Sequence, residues 1–202
     1  GDGSDDLGCG CFEAGPSGCD ETCGSELVDD ECGVCGGDGP SNGFACDGTP
    51  LEFIYNQSTS QAFYYFDYVI INGVLVDSDD WVGAFRNGYC SNPVATTEEI
   101  CLLVEAEWSP EEVCVGARKW DTALCNSGIC EIPAMGNDGY PESLGYMTAG
   151  VIPSFKIYDA SNDEYLDAIA SEDYPWANMG LFVADSLENA VAGCLDMDAC
   201  NY

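Results

Sequence analysis

The chain is predicted to be all-β: a β-sandwich of jelly-roll or immunoglobulin-like kind, flanked by disulfide-rich irregular segments. Three observations predict it. Between residues 50 and 192, short runs rich in aromatic and β-branched residues alternate with turns bearing Gly, Asn and Asp. Helix-period patterns are scarce over the same stretch. Residues 1–49 and 193–202 are instead dense in Cys, Gly and Asp, with too few large apolar side chains to fold by hydrophobic burial. The predicted organisation is a Cys/Gly/Asp-rich arm (1–49), a sandwich domain (50–192) with an insertion near 91–113, and a Cys/Asp-rich C-terminal segment (193–202).

The arm carries Cys9, Cys11, Cys19, Cys23, Cys32, Cys35 and Cys46. A faint repeat lies within it, Cys19…Cys23-Gly24 mapping onto Cys32…Cys35-Gly36. The domain adds Cys90, Cys101, Cys114, Cys125 and Cys130, and the C-terminal segment adds Cys194 and Cys200. Fourteen cysteines point to disulfides in an oxidising, extracellular compartment. The arm holds an odd number, so at least one of its bridges must leave it or join two molecules. Cys32-x-x-Cys35 also suits zinc or a thioredoxin-like redox pair. The absence of histidine, the oxidising context and the lack of a surrounding βαβ pattern weigh against both.

The elements follow in order. Residues 51–55 read as a strand and 62–71 as a longer one. Asn72-Gly73 supplies a tight hairpin turn into 74–76. Asn56-Gln57-Ser58 is a sequon for N-glycosylation at Asn56. Phe63, Tyr64, Tyr65, Phe66 and Tyr68 alternate as core and cover, a face of tyrosines for sugar being the rival reading. Asp77, Asp79 and Asp80 then feed a buried strand at 81–85, with Asn87-Gly88 read as a hairpin turn. The insertion has two helix-start signals, Thr96-Thr-Glu-Glu99 and Ser109-Pro-Glu-Glu112. Residues 114–121 return to strand, and Cys125 and Cys130 bracket a loop short enough to be bridged. Residues 134–144 form a loop turning at Asn137-Asp138-Gly139. Strands are expected at 150–159, 164–169 and 181–184, with a turn or two of helix at 185–192.

Charge limits the function. Acidic residues number 37 against 4 basic ones (Arg86, Arg118, Lys119 and Lys156), for a formal net charge of −33. Phosphate backbones and anionic membrane surfaces repel such a chain, so no nucleic-acid partner is expected. With no basic leader and no apolar run of spanning length, membrane insertion is not expected either, and the chain reads as a mature product or an excerpt of a longer one. A polyanion needs counter-ions to compact, and calcium is the natural one.

The absent histidines remove the usual bases and nucleophile pairs. A carboxylate pair for glycoside hydrolysis is the route left, and Asp77, Asp79 and Asp80 would supply it. Clustering by chance is expected among so many carboxylates, so no enzyme is expected. As hard-cation ligands the same three offer several oxygens from one turn, with Asn137, Asp138 and Asp159 from neighbouring loops. Asp196 with Asp198, and Asp2 with Asp5 and Asp6, are further candidates. None completes an EF-hand loop, and a solvated acidic rim is the alternative.

Two patterns carry a resemblance. Asp80-Trp-Val-Gly-Ala-Phe85, Cys114-Val-Gly-Ala117 and Phe155-Lys-Ile-Tyr-Asp-Ala160 resemble a β-sandwich module of secreted surface or filament proteins of aquatic bacteria. Residues 29–39 and 193–202 are similar to Cys/Asp repeats of the same class, regarded as cation-binding spacers. The insertion after Cys90 departs from that pattern. The resemblance implies a surface or extracellular-structure protein. The expected function is a structural subunit that polymerises with copies of itself. A calcium-dependent carbohydrate-binding or adhesive module, with glycans as partners, is the alternative.

Overall fold

Alternation builds the first strand. In β1 (Gln61–Ile71), Ala62, Tyr64 and Phe66 are buried while Phe63 and Tyr65 take the opposite face. The structure, a computed structural model, describes residues 7–10, 13–125 and 128–190. It divides into two compact units, Gly1–Leu51 and Glu52–Tyr202.

The second unit is all-β. After β1 come β2 (Val74–Leu75), β3 (Trp81–Cys90), β4 (Trp108–Lys119), β5 (Cys130–Met135), β6 (Ser154–Asp159), β7 (Glu164–Ala170) and β8 (Leu181–Asn189). They form one mixed sheet in the order β2-β1-β8-β7-β6-β3-β4, with β5 also on β1. Among the described strand ladders only β1–β8 is parallel.

That sheet is folded over. Phe66 and Tyr64 of β1 meet Phe155 of β6 with ring centroids 5.2 and 5.7 Å apart. In strand order β8 and β7 lie between them, which would separate β1 and β6 by about 14 Å in a flat sheet. Strong curvature brings the two inner faces together, and Val82, Val115, Ile132, Ile157 and Leu187 are wholly buried between them. At the far side β4 meets β5. A Cβ on Gly116 would lie 1.5 Å from the Pro133 carbonyl oxygen, so only glycine fits there. Arg118 and Glu131 pair across the same two strands. No ladder joins β4 to β5 among the described residues, so the sheet is folded without closing.

A second apolar layer covers part of the outer face. Phe53, fully buried, packs against Phe85 and Tyr165 at 5.7 and 5.5 Å, and the Lys156 ammonium lies 5.0 Å from the Phe85 ring centre. Phe53 ends a 3-10 turn, Leu51–Phe53, where a strand was expected. One deep aromatic anchor, with Leu51 and Ile54 exposed on either side, replaces alternation there.

Other expectations are corrected. Asn72-Gly73 does form the β1–β2 turn, with φ of 52° and 81°. Asn87-Gly88 does not turn the chain: β3 runs on to Cys90, and the register shift between Asn87 and Tyr89 marks a bulge. Gly88 has φ 67°, and a Cβ on it would collide with the Trp108 ring at 2.5 Å. The buried Arg86 side chain fastens this bulge, donating to the Gly88 carbonyl at 3.2 Å and to the Tyr146 carbonyl. Ser109-Pro-Glu-Glu112 is strand, because Ser109 and Glu112 pair with Tyr89 and Asn87 across the ladder. Residues 185–189 are likewise strand, held by β1 and β7. The first helix-start signal is used: Thr97 caps α1 (Glu98–Leu103), its hydroxyl accepting the Ile100 amide at 3.3 Å.

Five disulfides connect the described residues. Cys9–Cys23, Cys19–Cys35 and Cys32–Cys46 lace the arm, and Cys90–Cys101 and Cys125–Cys130 lie in the sheet unit. The arm's bridges are staggered, each beginning inside the loop closed by the one before. Loops of this length cost the unfolded chain about 3 kcal/mol each in the loop-closure account. Cys114, expected to be bridged, is instead a buried free thiol in the middle of β4, its Sγ 3.6 Å from the Gly116 carbonyl oxygen. The other described cysteines are already paired with one another. Cys11, Cys194, Cys200, Asp196 and Asp198 lie outside the described residues, as do Asp2, Asp5 and Asp6. Among the described residues no helix is long and apolar enough to cross a membrane.

Candidate functional site

The acidic corner before β3 is assembled from the turn at 77–80 and the β6–β7 turn. Asp80 is buried, and both its oxygens accept backbone amides: Oδ2 from Asp77 at 2.8 Å and Oδ1 from Ala160 at 2.9 Å. Its own carbonyl accepts the Trp120 amide at 2.7 Å, so one residue ties together the approach to β3, the exit from β4 and the turn after β6. Burial pushes the Asp80 carboxyl above the ordinary range. The amides of Ala160 and Asp77 oppose that shift, and the charges of Asp159 and Asp77 add to it.

Asp159, beside it, is also buried and turned inward. Its Oδ1 accepts the Ser161 hydroxyl at 2.7 Å and the amides of Ser161 and Asn162 at 3.0 and 3.1 Å, while Oδ2 accepts the Asn162 side-chain amide at 2.8 Å. These bonds, the Ser161 hydroxyl foremost, hold its carboxyl below the ordinary value against the effect of burial. Asp77 and Asp79 are exposed, and Asp79 pairs with Lys119 at 2.6 Å. A recess of about 280 Å³ opens between Asp77, Ser78, Asp79, Asp80, Ala160 and Ser161.

The corner's capacity for a cation follows from this division. Calcium takes six to eight oxygens. Asp80 and Asp159 are buried and already accept N–H and O–H donors, while Asp77 and Asp79 are the exposed carboxylates of the corner. The corner supplies an incomplete shell by itself.

Asn137 and Asp138 do not join the corner. Asp138 belongs to a separate knot, where Oδ2 accepts the Thr59 amide and hydroxyl, each at 3.0 Å. Its Oδ1 accepts the Ser143 hydroxyl at 2.7 Å and the Tyr140 amide at 3.3 Å. The Thr59 amide, with these partners, holds the carboxyl far below the ordinary range. The Asn137 side chain accepts the Gly139 amide at 2.9 Å and forms the turn expected there. Asn56, at the same recess, is exposed, while the Ser58 hydroxyl of its sequon donates to the Gly136 carbonyl at 2.6 Å.

In the arm, a Cys/Asp cluster capable of coordinating a metal ion is present: ligand atoms of Cys19, Asp29 and Cys35 lie within 4.8 Å of one another. The two sulfurs are joined as a disulfide, so the cluster offers thiolates only after reduction. Asp29 opens the 29–39 stretch that is similar to cation-binding Cys/Asp repeats, although it was not among the candidate ligands named from the sequence. Three further arm aspartates make turns. Asp20, Asp30 and Asp47 each accept the amide two residues on, and Asp30 also accepts those of Val34 and Gly39, both at 2.8 Å.

Comparison with family models, with curated proteins and with solved structures gives no match for this chain.

Proposed function

We propose that this chain is a non-enzymatic structural subunit of an extracellular filament or surface layer, joined to copies of itself through its Cys-rich arm or an exchanged strand. The folded-over sheet would serve as the sandwich-like body and the laced arm as connector. The staggered disulfide ladder carries the reading: covalent bridges hold a segment that has little apolar surface to bury, as a durable spacer requires. The buried Asp80 ties two segments eighty residues apart and the buried Asp159 pins its own turn, which suits a scaffold. In the described sheet β4 pairs only with β3 and β2 only with β1, edges of the kind that accept another strand.

Electron microscopy of the full chain, with and without reductant and chelator, tests the proposal. Filaments or sheets that reductant breaks down are expected. Dispersed monomers at every concentration and calcium level would sink it.

A second reading, a calcium-dependent glycan-binding or adhesive module, draws on the recess where Asp77 and Asp79 are exposed. It requires glycan binding that a chelator abolishes, and an array left blank in calcium removes it.

A further inference from the structure

One motif has no part in the structural-subunit reading: the sequon Asn56-Gln57-Ser58. It lies between the 3-10 turn and β1, on the wall of a recess of about 540 Å³ that Asp138, Tyr140 and Ser143 also line. That size falls within the roughly 300–1,000 Å³ of clefts that hold a small molecule. The backbone around the recess is fastened. The Asn56 amide donates to the Tyr146 hydroxyl at 2.6 Å, the Tyr140 amide to Asp138 at 3.3 Å, and the Ser143 amide to the Tyr140 carbonyl at 3.1 Å. Two side chains are left over. Asn56 is exposed, and its side-chain amide makes no hydrogen bond among the described residues. Tyr140 stands 66% exposed on its fixed backbone.

We propose that Asn56 carries an N-linked carbohydrate and that this recess seats its first sugar against Tyr140. A pyranose has an apolar C–H face, which an aromatic ring covers, and a rim of hydroxyls suited to the polar wall. The linking step is a substitution at the anomeric carbon of a sugar carried on a lipid diphosphate. The Asn56 side-chain nitrogen forms the N-glycosidic bond and the carbon–phosphate-oxygen bond breaks. The diphosphate leaves with the electron pair, one amide proton goes to a base of the transferase, and nothing is oxidised or reduced.

The fold also dates the step. A sequon is read through the hydroxyl of its third residue. Here that hydroxyl is committed: Ser58 donates to the Gly136 carbonyl at 2.6 Å and accepts the Ser60 amide at 3.1 Å. Gly136 lies 78 residues further on. It is buried, and a Cβ on it would meet the Trp176 ring at 2.4 Å, so this contact belongs to the finished core. Attachment therefore precedes the meeting of the two segments, before or during folding, and the recess then forms around the sugar. None of this requires copies of the chain to polymerise.

The test is peptide mapping of the full oxidised chain, as its own cells secrete it. Amidase release in heavy-oxygen water turns a glycosylated Asn56 into labelled aspartate, and that label is the expected result. A chain whose Asn56 is bare overturns the proposal. The seat is read from the rate of release while the chain is folded. Wild type should release roughly three- to tenfold more slowly than Tyr140→Ala, the worth of one aromatic contact. Tyr140→Phe, which keeps the ring, should match wild type, and all three should be equal once denatured. Equal rates in the folded proteins remove the seat. Tyr140 is exposed, so its truncation leaves the core intact, as melting will verify. The order of events is tested on chain made without the sugar and offered to the transferase with its lipid-linked donor. The denatured chain should accept the sugar and the folded chain refuse it; equal acceptance overturns the order. The structural-subunit reading stands or falls separately, by microscopy.

Discussion

Asp80 accepts the amide of Ala160 at 2.9 Å across eighty residues of sequence, and the Asp77 amide with its other oxygen. The first carboxylate to suggest a cation site is therefore a loop fastener. Asp80→Ala leaves two part-buried amides without this partner and is expected to cost about 1–3 kcal/mol. Urea unfolding under non-reducing conditions measures it. A change within a few tenths of a kcal/mol would mean the tie is redundant.

The two acidic knots respond oppositely to pH. The Asp138 carboxyl is held below its ordinary value, so its contribution to stability is present above that value and is lost as pH falls through the folded one. Asp80 is raised, so its contribution is fully present below the ordinary value and is lost as pH rises through the folded one. Melting temperatures from pH 2 to 7 should show a shallower acid-side decline for Asp138→Asn than for the wild type. For Asp80→Ala, the deficit relative to wild type should shrink as pH rises. Parallel curves for all three proteins would refute the assignments.

Burial pushes the Cys114 thiol up to about 12, so little thiolate forms at neutral pH. Alkylation at pH 8 followed by peptide mapping should leave Cys114 unmodified in the folded chain and modify it fully in denaturant. Rapid labelling of the folded chain would show β4 opening far more readily than its packing indicates.

Removing one rung of the arm, Cys32→Ser with Cys46→Ser, should leave the arm open to proteolysis while the 52–190 portion persists. The arm has little apolar packing to hold it once its bridges go, whereas the sheet unit has its own core. Limited proteolysis with mass mapping reads this directly. A variant arm as resistant as the wild type would place the arm's stability elsewhere.

What was legible in the chain depended on how local the cause was. Asn72-Gly73 was read correctly because a type I′ turn needs positive φ at both positions, a demand the dipeptide states by itself. The same dipeptide at Asn87-Gly88 was misread. There positive φ serves a bulge that makes room for the Trp108 ring, a neighbour twenty residues on. Thr97 capped a helix as its motif predicts, but the similar motif at Ser109 lost to cross-strand pairing with Tyr89.

The acidic corner divides the same way. Asp77, Asp79 and Asp80 look alike in a list of residues, and nothing near them says which one turns inward. Ala160, eighty positions away, decides it.

By itself, then, the sequence determined the all-β class, the cysteine-held arm, the polyanionic character and the turns whose backbone angles a dipeptide dictates. These follow from composition and from forces acting within a few residues. Only the tertiary structure decided that the strands make one folded-over sheet, that Cys114 stays unbridged, and that Asp80 is a fastener while Asp138 belongs elsewhere. Each of those depends on packing between residues far apart in the chain, where burial and exposure are set.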